Sequence, residues 1–98
     1  MDESQHNCRL SHYNVTLSGK LHLFEHRVSD FAQFWHGIFE SDCDDETISM
    51  IYEMSVINSP RIHLTLEDGR QGTAYMLDSK ETAAGIQIAL AGVSKLWR

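Results

Sequence analysis

The amino-acid sequence predicts a two-layer α+β sandwich in which two helices cover one face of a four-stranded, mainly antiparallel sheet. Three observations lead to this prediction: an alternating apolar pattern from residue 14 to 26, a hairpin signal at Asp68-Gly69, and helical periodicity over 31–39 and 83–97. The predicted element order is β-α-β-β-β-α. We expect a flexible N-terminal tail over residues 1–10 and a single α+β domain over residues 11–98.

The first predicted strand extends from Asn14 to His26. One of its faces carries Val15, Leu17, Gly19, Leu21 and Leu23. This period of two is typical of a half-buried strand. Ser18-Gly19 is also compatible with a tight turn that would divide the segment into a hairpin. The unbroken alternation favours one long strand, with a bulge at Gly19 as an option.

The first predicted helix begins at Ser29, a suitable N-cap residue, and ends near Glu40. Its apolar residues recur at positions i, i+3, i+4, i+7 and i+8, namely Phe31, Phe34, Trp35, Ile38 and Phe39. This spacing predicts an amphipathic helix with an aromatic stripe.

Residues 48–57 are predicted to form the second strand, because apolar residues at 48, 50, 52, 54 and 56 would be scattered around a helix axis. The third strand covers 61–67, and the fourth returns from Gln71 to Leu77. The register of this hairpin is open. A two-residue turn would place Thr73 and Tyr75 on the face of Leu64, whereas a bulged three-residue turn would place Ala74 and Met76 there.

The last predicted helix opens at Asp78, with Glu81 three residues later as in a capping box. Its buried stripe would contain Ala83, Ile86, Ala89, Leu90, Val93 and Trp97. The predicted α-β-β-β-α order after the first strand resembles the double-stranded RNA-binding domain in outline. The basic residues that open the last helix of that family are replaced here by Asp78-Ser79-Lys80-Glu81, so the resemblance implies no RNA binding.

Charge is distributed unevenly along the chain. The net charge is −6, and residues 1–53 carry ten acidic side chains against three basic ones. The chain has no cluster of Lys and Arg, so we expect no direct nucleic-acid binding. An acidic half can instead steer the approach of a basic protein surface.

The strongest charge feature is the acidic segment, residues 40–46, which contains five carboxylates. At the C-terminal end of the predicted helix these charges would oppose the helix dipole, which indicates a role other than folding. We therefore predict partner contact through Glu40, Asp42, Asp44, Asp45, Glu46 and Glu53. The alternative is a solvated loop without a partner.

Calcium binding is a further alternative for the acidic segment. Asp42, Asp44, Glu46 and Glu53 match positions 1, 3, 5 and 12 of an EF-hand loop. Thr47 replaces the glycine that such a loop needs for its sharp turn, so we expect weak calcium binding at most and no dedicated site.

Metal and catalytic sites are not predicted. Among the six histidines, His22 and His26 would lie roughly 13 Å apart on a strand, too far to share an ion. Cys43 lies among carboxylates, which raise the pKa of a thiol and suppress the reactive thiolate. No Gly-x-Ser-x-Gly or phosphate-binding motif is present. We expect no cofactor and no enzymatic activity.

The two cysteines, Cys8 and Cys43, and the polar, acidic first residues indicate a cytoplasmic protein with reduced thiols. The predicted function is a small acidic, non-catalytic protein that binds and inhibits a basic, nucleic-acid-binding protein such as a nuclease. In size and charge the chain resembles anti-CRISPR and other anti-defence proteins and toxin-immunity proteins. The alternatives are a structural or regulatory homodimer with contacts at Phe24, Ile51 and Ile57, and a weak calcium- or small-ligand-binding module.

Overall fold

The computed structural model describes residues 2–12, 15–27, 29, 33–56, 61–93 and 95–98. These residues form six strands and one helix: β1 Asp2–His12, β2 Val15–Arg27, β3 Gln33–Ser41, α1 Asp45–Val56, β4 Arg61–Leu66, β5 Gln71–Glu81 and β6 Ile86–Gly92. No helix in this part of the chain is long and apolar enough to cross a membrane.

The strands form a closed barrel in the order β1-β2-β3-β6-β5-β4, and every neighbouring pair is antiparallel. Two three-stranded meanders, β1-β2-β3 and β4-β5-β6, are joined along the β3–β6 and β1–β4 seams. The predicted α+β sandwich with a four-stranded sheet and two helices is therefore wrong. A barrel buries the apolar face of each strand against the other strands, so no helical layer is needed to cover a sheet.

The first predicted helix is wrong because its aromatic residues lie on both faces of a strand. Phe34 on β3 is 50% exposed, whereas the next residue, Trp35, is only 3% exposed and Phe39 is fully buried. Residues 34 and 38 point outward, and residues 35 and 39 point inward. The members of each pair are four residues apart, so the two pairs together imitate the i, i+4 spacing of a helix. Phe31 lies outside the described residues.

The last predicted helix is also wrong. β5 continues to Glu81, and after a turn β6 begins at Ile86. In that turn the Thr82 amide donates to the Gly85 carbonyl over 2.9 Å, and the Gly85 amide donates to Thr82 Oγ1 over 3.1 Å. The apolar residues Ile86, Ile88 and Leu90 alternate along β6 and face the core. Alternation of branched residues at 86, 88 and 90 was the correct signal, and the helix-favouring Gln87 and Ala89 between them hid it.

The predicted strand over 48–57 is replaced by α1. Ile48 and Ile51, one helical turn apart, both face the core, while Tyr52 is exposed. Ile51 is fully buried, so it is not available as the dimer contact that the sequence suggested. Ile57 lies outside the described residues.

Two other predictions are confirmed, the single long strand β2 and the hairpin at Asp68-Gly69. β2 is one long strand, and its ladder with β1 passes Gly19 opposite Cys8 without a break. The β4–β5 hairpin pairs Leu64 with Gly72 and Ile62 with Ala74, so of the two registers that the sequence left open the structure has that of the three-residue turn. Gly69 has a φ of 92°, the left-handed conformation that this turn requires.

The N-terminal residues that were expected to be a flexible tail form most of β1. The ladder between β1 and β2 begins at Asp2 opposite Glu25 and ends at His12 opposite Val15. In contrast, β4 pairs only with residues 8–11 of β1. The first residues of β1 therefore belong to the sheet but have a strand neighbour on one side only.

The core fills the barrel from one end to the other. Ile48 and Ile51 of α1 close the end at which β3 finishes and β4 starts. Trp35 closes the opposite end, and a Cβ atom at Gly92 would clash with its indole ring. The barrel interior is therefore a packed core rather than a channel.

Candidate interaction surfaces

The acidic segment links β3 to α1. Glu40 and Asp42 are exposed, the side chain of Ser41 is buried between them, and Cys43 is partly exposed. The Ser41 hydroxyl donates to the Ser18 carbonyl over 2.7 Å, which ties the end of β3 to β2. The segment is thus anchored by its serine, and its carboxylates point to solvent.

Asp44 caps the N-terminus of α1. The Thr47 amide donates to Asp44 Oδ1 over 2.8 Å, and the Ile48 amide donates to the Asp44 carbonyl over 3.0 Å. The hydrogen bonds from Thr47 lower the pKa of the Asp44 carboxyl. Asp45 and Glu46 occupy the first helical turn, where negative charge suits the helix dipole. The dipole conflict inferred from the sequence does not exist, because the acids precede a helix instead of ending one.

The remaining carboxylates have no comparable role in the fold. Asp42, Glu46 and Glu53 are exposed, and none of them forms an ion pair within the described residues. Glu53 lies seven residues after Glu46, two turns further along the same face of α1. Glu40 accepts a hydrogen bond from Gln87 Nε2 over 2.9 Å. The end of β3 and the face of α1 that carries Glu46 and Glu53 therefore present one continuous acidic surface.

Cys43 is a poor nucleophile in this position. Its pKa is raised, first by partial burial and then by the negative charges of Asp44, Asp42 and Asp45. The carboxylate effect that the sequence predicted is therefore present, although burial raises the pKa more than any single carboxylate does.

A groove with a volume of about 770 Å³ adjoins the acidic segment on the outside of the barrel. It is lined by basic Arg9 and Lys20 and by acidic Glu40, Asp42 and Glu67. A Cβ atom at Gly19 would clash with the carbonyl oxygen of Glu40, so the close approach of β2 to β3 beneath the groove requires glycine. The groove is open and of mixed charge, and two of its acidic side chains, Glu40 and Asp42, belong to the predicted partner surface.

A smaller pocket of about 280 Å³ lies at the opposite end of the barrel and includes Arg27, Glu25 and Arg70. Arg70 donates to Glu25 over 3.0 Å and to Asp68 over 2.9 Å, so its charge is already compensated. These contacts hold the β4–β5 turn against β2. The pocket gives the small-ligand alternative a location, and of its two arginines only Arg70 forms an ion pair within the described residues.

The ring row is a feature that the sequence analysis missed. It consists of three histidines and two phenylalanines on the outer face of β2 and β3: His22, Phe24, His26, Phe34 and His36. Neighbouring rings have centroids 4.7–4.9 Å apart and planes within 24° of parallel. Phe24 lies directly opposite His36, and His26 lies directly opposite Phe34.

Hydrogen bonds are present at both ends of the ring row. At one end, His22 Nε2 lies 2.6 Å from Glu3 Oε1 of β1. Towards the other end, His26 Nε2 lies 3.1 Å from His36 Nδ1. No local pattern in the sequence indicated this histidine pair, because its members are ten residues apart and His36 was assigned to a helix.

The sequence-predicted site residues are only partly brought together. The six predicted partner-binding carboxylates share one end of the barrel, whereas Phe24 belongs to the ring row. The EF-hand-like spacing in the sequence does not form a calcium loop, because α1 already begins at its fourth position, Asp45. Among the described residues, no group of three or more His, Cys, Asp or Glu side chains is placed to hold a metal ion.

No protein-family model, no curated protein and no solved structure matches the chain. The functional argument therefore rests on the surfaces described above.

Proposed function

We propose that this barrel is a small, non-catalytic binding protein whose acidic segment docks onto a basic surface of a protein partner. The observation that carries the proposal is the continuous set of exposed carboxylates, including Asp42, Glu46 and Glu53, that lack an ion-pair partner within the described residues. Such a surface suits a partner whose Lys and Arg side chains otherwise hold nucleic-acid phosphates. Occupation of those side chains would inhibit that partner.

The support beneath the carboxylates favours binding. β3 and α1 are both packed into the barrel, and Asp44 and Ser41 fix the link between them. The backbone that carries these carboxylates is therefore ordered before a partner binds, which lowers the entropic cost of association. The two cysteines form no disulfide, in keeping with the proposed action in the cytoplasm.

A charge-matched comparison tests the proposal. The variant Asp42→Asn/Asp45→Asn/Glu46→Gln removes three charges from the acidic segment and keeps the Asp44 cap. The control Asp2→Asn/Glu3→Gln/Glu67→Gln removes three charges from β1 and the β4–β5 turn. Each protein is immobilised and exposed to lysate of the source cells at low and high salt, and the retained proteins are identified by mass spectrometry.

We expect the wild type and the control to retain the same basic protein, which high salt releases, and the acidic-segment variant to lose it. The association rate with that protein, once purified, should fall with ionic strength for the wild type and much less for the variant. Unchanged binding by the acidic-segment variant would show that these carboxylates are not the contact.

A second candidate function, a structural or regulatory homodimer, is favoured by the open edge of β1. The Asn7 amide donates to Glu67 Oε1, and the Glu67 amide donates to the Asn7 carbonyl, so the backbone groups of Asn7 point away from β2. Because strands have a period of two, those of Glu3 and Gln5 point to the same side, where β4 is not paired. Two copies paired antiparallel about Ser4 would place Glu3 opposite Gln5 and Asp2 opposite His6.

The substitution Gln5→Pro tests this dimer. Proline removes the amide that points to the open edge and leaves the bonds of β1 to β2 in place. If β1 edges join two copies, light scattering will show a dimer for the wild type and a monomer for the variant. A monomeric wild type at high protein concentration would exclude the dimer without affecting the acidic-surface proposal.

A further inference from the structure

The ring row contains two imidazole nitrogens arranged as a metal chelate. His26 on β2 and His36 on β3 are diagonal neighbours across the strand pair, since His26 is opposite Phe34 and Phe24 is opposite His36. The His26 Nε2–His36 Nδ1 distance is 3.1 Å. His36 is exposed and His26 is partly exposed, so solvent and ions reach the pair.

The distance between the two nitrogens matches shared coordination of one ion. Imidazole nitrogens bind Zn²⁺ at about 2.0–2.1 Å. Two such ligands on one ion are separated by about 2.9 Å at a right angle and by about 3.3 Å at the tetrahedral angle. The observed separation of 3.1 Å lies between these values.

We propose that His26 and His36 form a binding site for a late first-row divalent metal ion, with Cu²⁺ bound most tightly and Zn²⁺ or Ni²⁺ less tightly. In the hydrogen-bonded pair, the N–H of one imidazole donates a hydrogen bond to the unprotonated nitrogen of the other. On metal binding, that proton moves to the remaining nitrogen of the same ring, so both neutral rings present a lone pair to the ion. Water completes the coordination.

The phenylalanines of the ring row hold the two ligands in place. Phe24 stacks on His36 with centroids 4.8 Å apart and planes at 10°, and Phe34 stacks on His26 with centroids 4.8 Å apart and planes at 8°. Both imidazoles are therefore restrained before the ion arrives, on strands that belong to a closed barrel. The net charge of −6 also favours a cation.

The ligand set defines which ions should bind. Two nitrogen donors suit Cu²⁺, Ni²⁺ and Zn²⁺, whereas Ca²⁺ and Mg²⁺ require oxygen ligands. With two protein ligands, the site should exchange its ion readily instead of holding a permanent structural metal. The site is separate from the acidic segment, so it does not depend on the proposed partner binding.

Calorimetric titration with Cu²⁺ alone, together with electron paramagnetic resonance, tests the assignment. The variants His26→Ala and His36→Ala each remove one ligand, and His22→Ala is the matched control because it removes a ring-row histidine without a histidine partner. We expect one Cu²⁺ per wild-type chain, with splitting from two nitrogens, and unchanged binding by the control. Each ligand variant should bind at least about tenfold more weakly, since even changes outside the ligand shell cost 10–100-fold.

Thermal unfolding provides a second readout. Zn²⁺ should raise the melting temperature of the wild type and the control but not that of the double variant His26→Ala/His36→Ala, and Ca²⁺ should raise none of them through this pair. Absence of Cu²⁺ binding to the wild type would overturn the proposal. Equal binding by the double variant would place the ion elsewhere on the chain and would also overturn it.

Discussion

The two faces of the β2–β3 strand pair are both rich in rings or bulky apolar groups, yet they have different tasks. The inner face carries Leu21, Leu23, Trp35 and Phe39, which are buried in the barrel core. The outer face carries the ring row, whose members contact mainly one another. The comparison shows that the number of rings on a strand does not determine its role. The role of a ring depends on whether it packs in the barrel core or contacts only its neighbours on the outer face.

The contrast is sharpest at Phe34 and Trp35, which are consecutive in the chain. Phe34 is 50% exposed and Trp35 is 3% exposed. We expect Trp35→Ala to lower the free energy of unfolding by about 3–5 kcal/mol, because it leaves a large cavity at one end of the barrel. Phe34→Ala should cost no more than about 1.5 kcal/mol, the value of a single aromatic pair.

Urea denaturation of both variants measures these losses. Similar losses at the two positions would mean that the outer face supports the fold as strongly as the core does, and the distinction between the faces would fail.

Reciprocal exchange at neighbouring positions of β2 provides a second test. Leu23→His places a polar ring in the core, and we expect a loss of about 3 kcal/mol or more from unsatisfied burial and lost packing. His22→Leu gives up an exposed bond with Glu3 and should cost no more than about 1 kcal/mol. The melting temperatures of the two variants, measured side by side, should differ clearly. A tolerated histidine at position 23 would indicate that the barrel interior admits water.

Two elements, β2 and the β4–β5 hairpin, could be predicted from the sequence. β2 was predicted correctly because its core-facing residues, from Val15 to Leu23, are apolar and most residues between them are polar. The β4–β5 hairpin was marked by Gly69, whose backbone conformation is rare for other residues. In both places, a local pattern corresponded to one structure only.

β3 and β6 were not predictable in the same way. Ile38 and Phe34 on the outside of β3 imitate a helical stripe when they are combined with the inward Trp35 and Phe39. On β6, Ala89 and Ala91 on either side of the core residue Leu90 favour a helix by local propensity. Closure of the barrel outweighs that preference, because β6 pairs with β3 along one edge and with β5 along the other.

The candidate sites show the same limit. The acidic segment is visible in the sequence as a charge run, but its relation to a helix start depends on α1, which was predicted to be a strand. The His26–His36 pair depends on the antiparallel pairing of β2 with β3. No spacing within the chain could reveal it while residues 31–39 were assigned to a helix.

The buried thiol of Cys8 should make the stability of the folded protein depend on pH. Burial raises the pKa of the Cys8 thiol to about 12, while a hydrogen bond with the Thr65 backbone lowers it by less. Because the folded protein holds this proton more tightly than the unfolded chain does, the resulting stability is complete below pH 9 and is lost as pH rises from 9 towards 12. The expected slope is about 1 kcal/mol per pH unit in that range.

The variant Cys8→Ala isolates this contribution, since other groups also titrate at alkaline pH. Urea denaturation between pH 8 and 11 should show a shallower loss of stability for the variant than for the wild type. Alkylation should reach Cys43 before Cys8, because Cys43 is partly exposed and Cys8 is buried. Equal slopes would indicate that the Cys8 thiol reaches solvent in the folded barrel.

The smallest expected effect concerns the ring row itself. Phe24 stacks on both His22 and His36, so Phe24→Ala should cost about 0.5–1.5 kcal/mol. Phe24→Leu retains much of the apolar area but not the flat ring, so the difference between the two variants separates stacking from burial. If stacking restrains His36, Phe24→Leu should also weaken Cu²⁺ binding while the urea midpoint changes little. If Phe24→Leu keeps the wild-type copper affinity, the strand pairing alone positions the imidazoles. Stacking in the ring row would then have no role in copper binding.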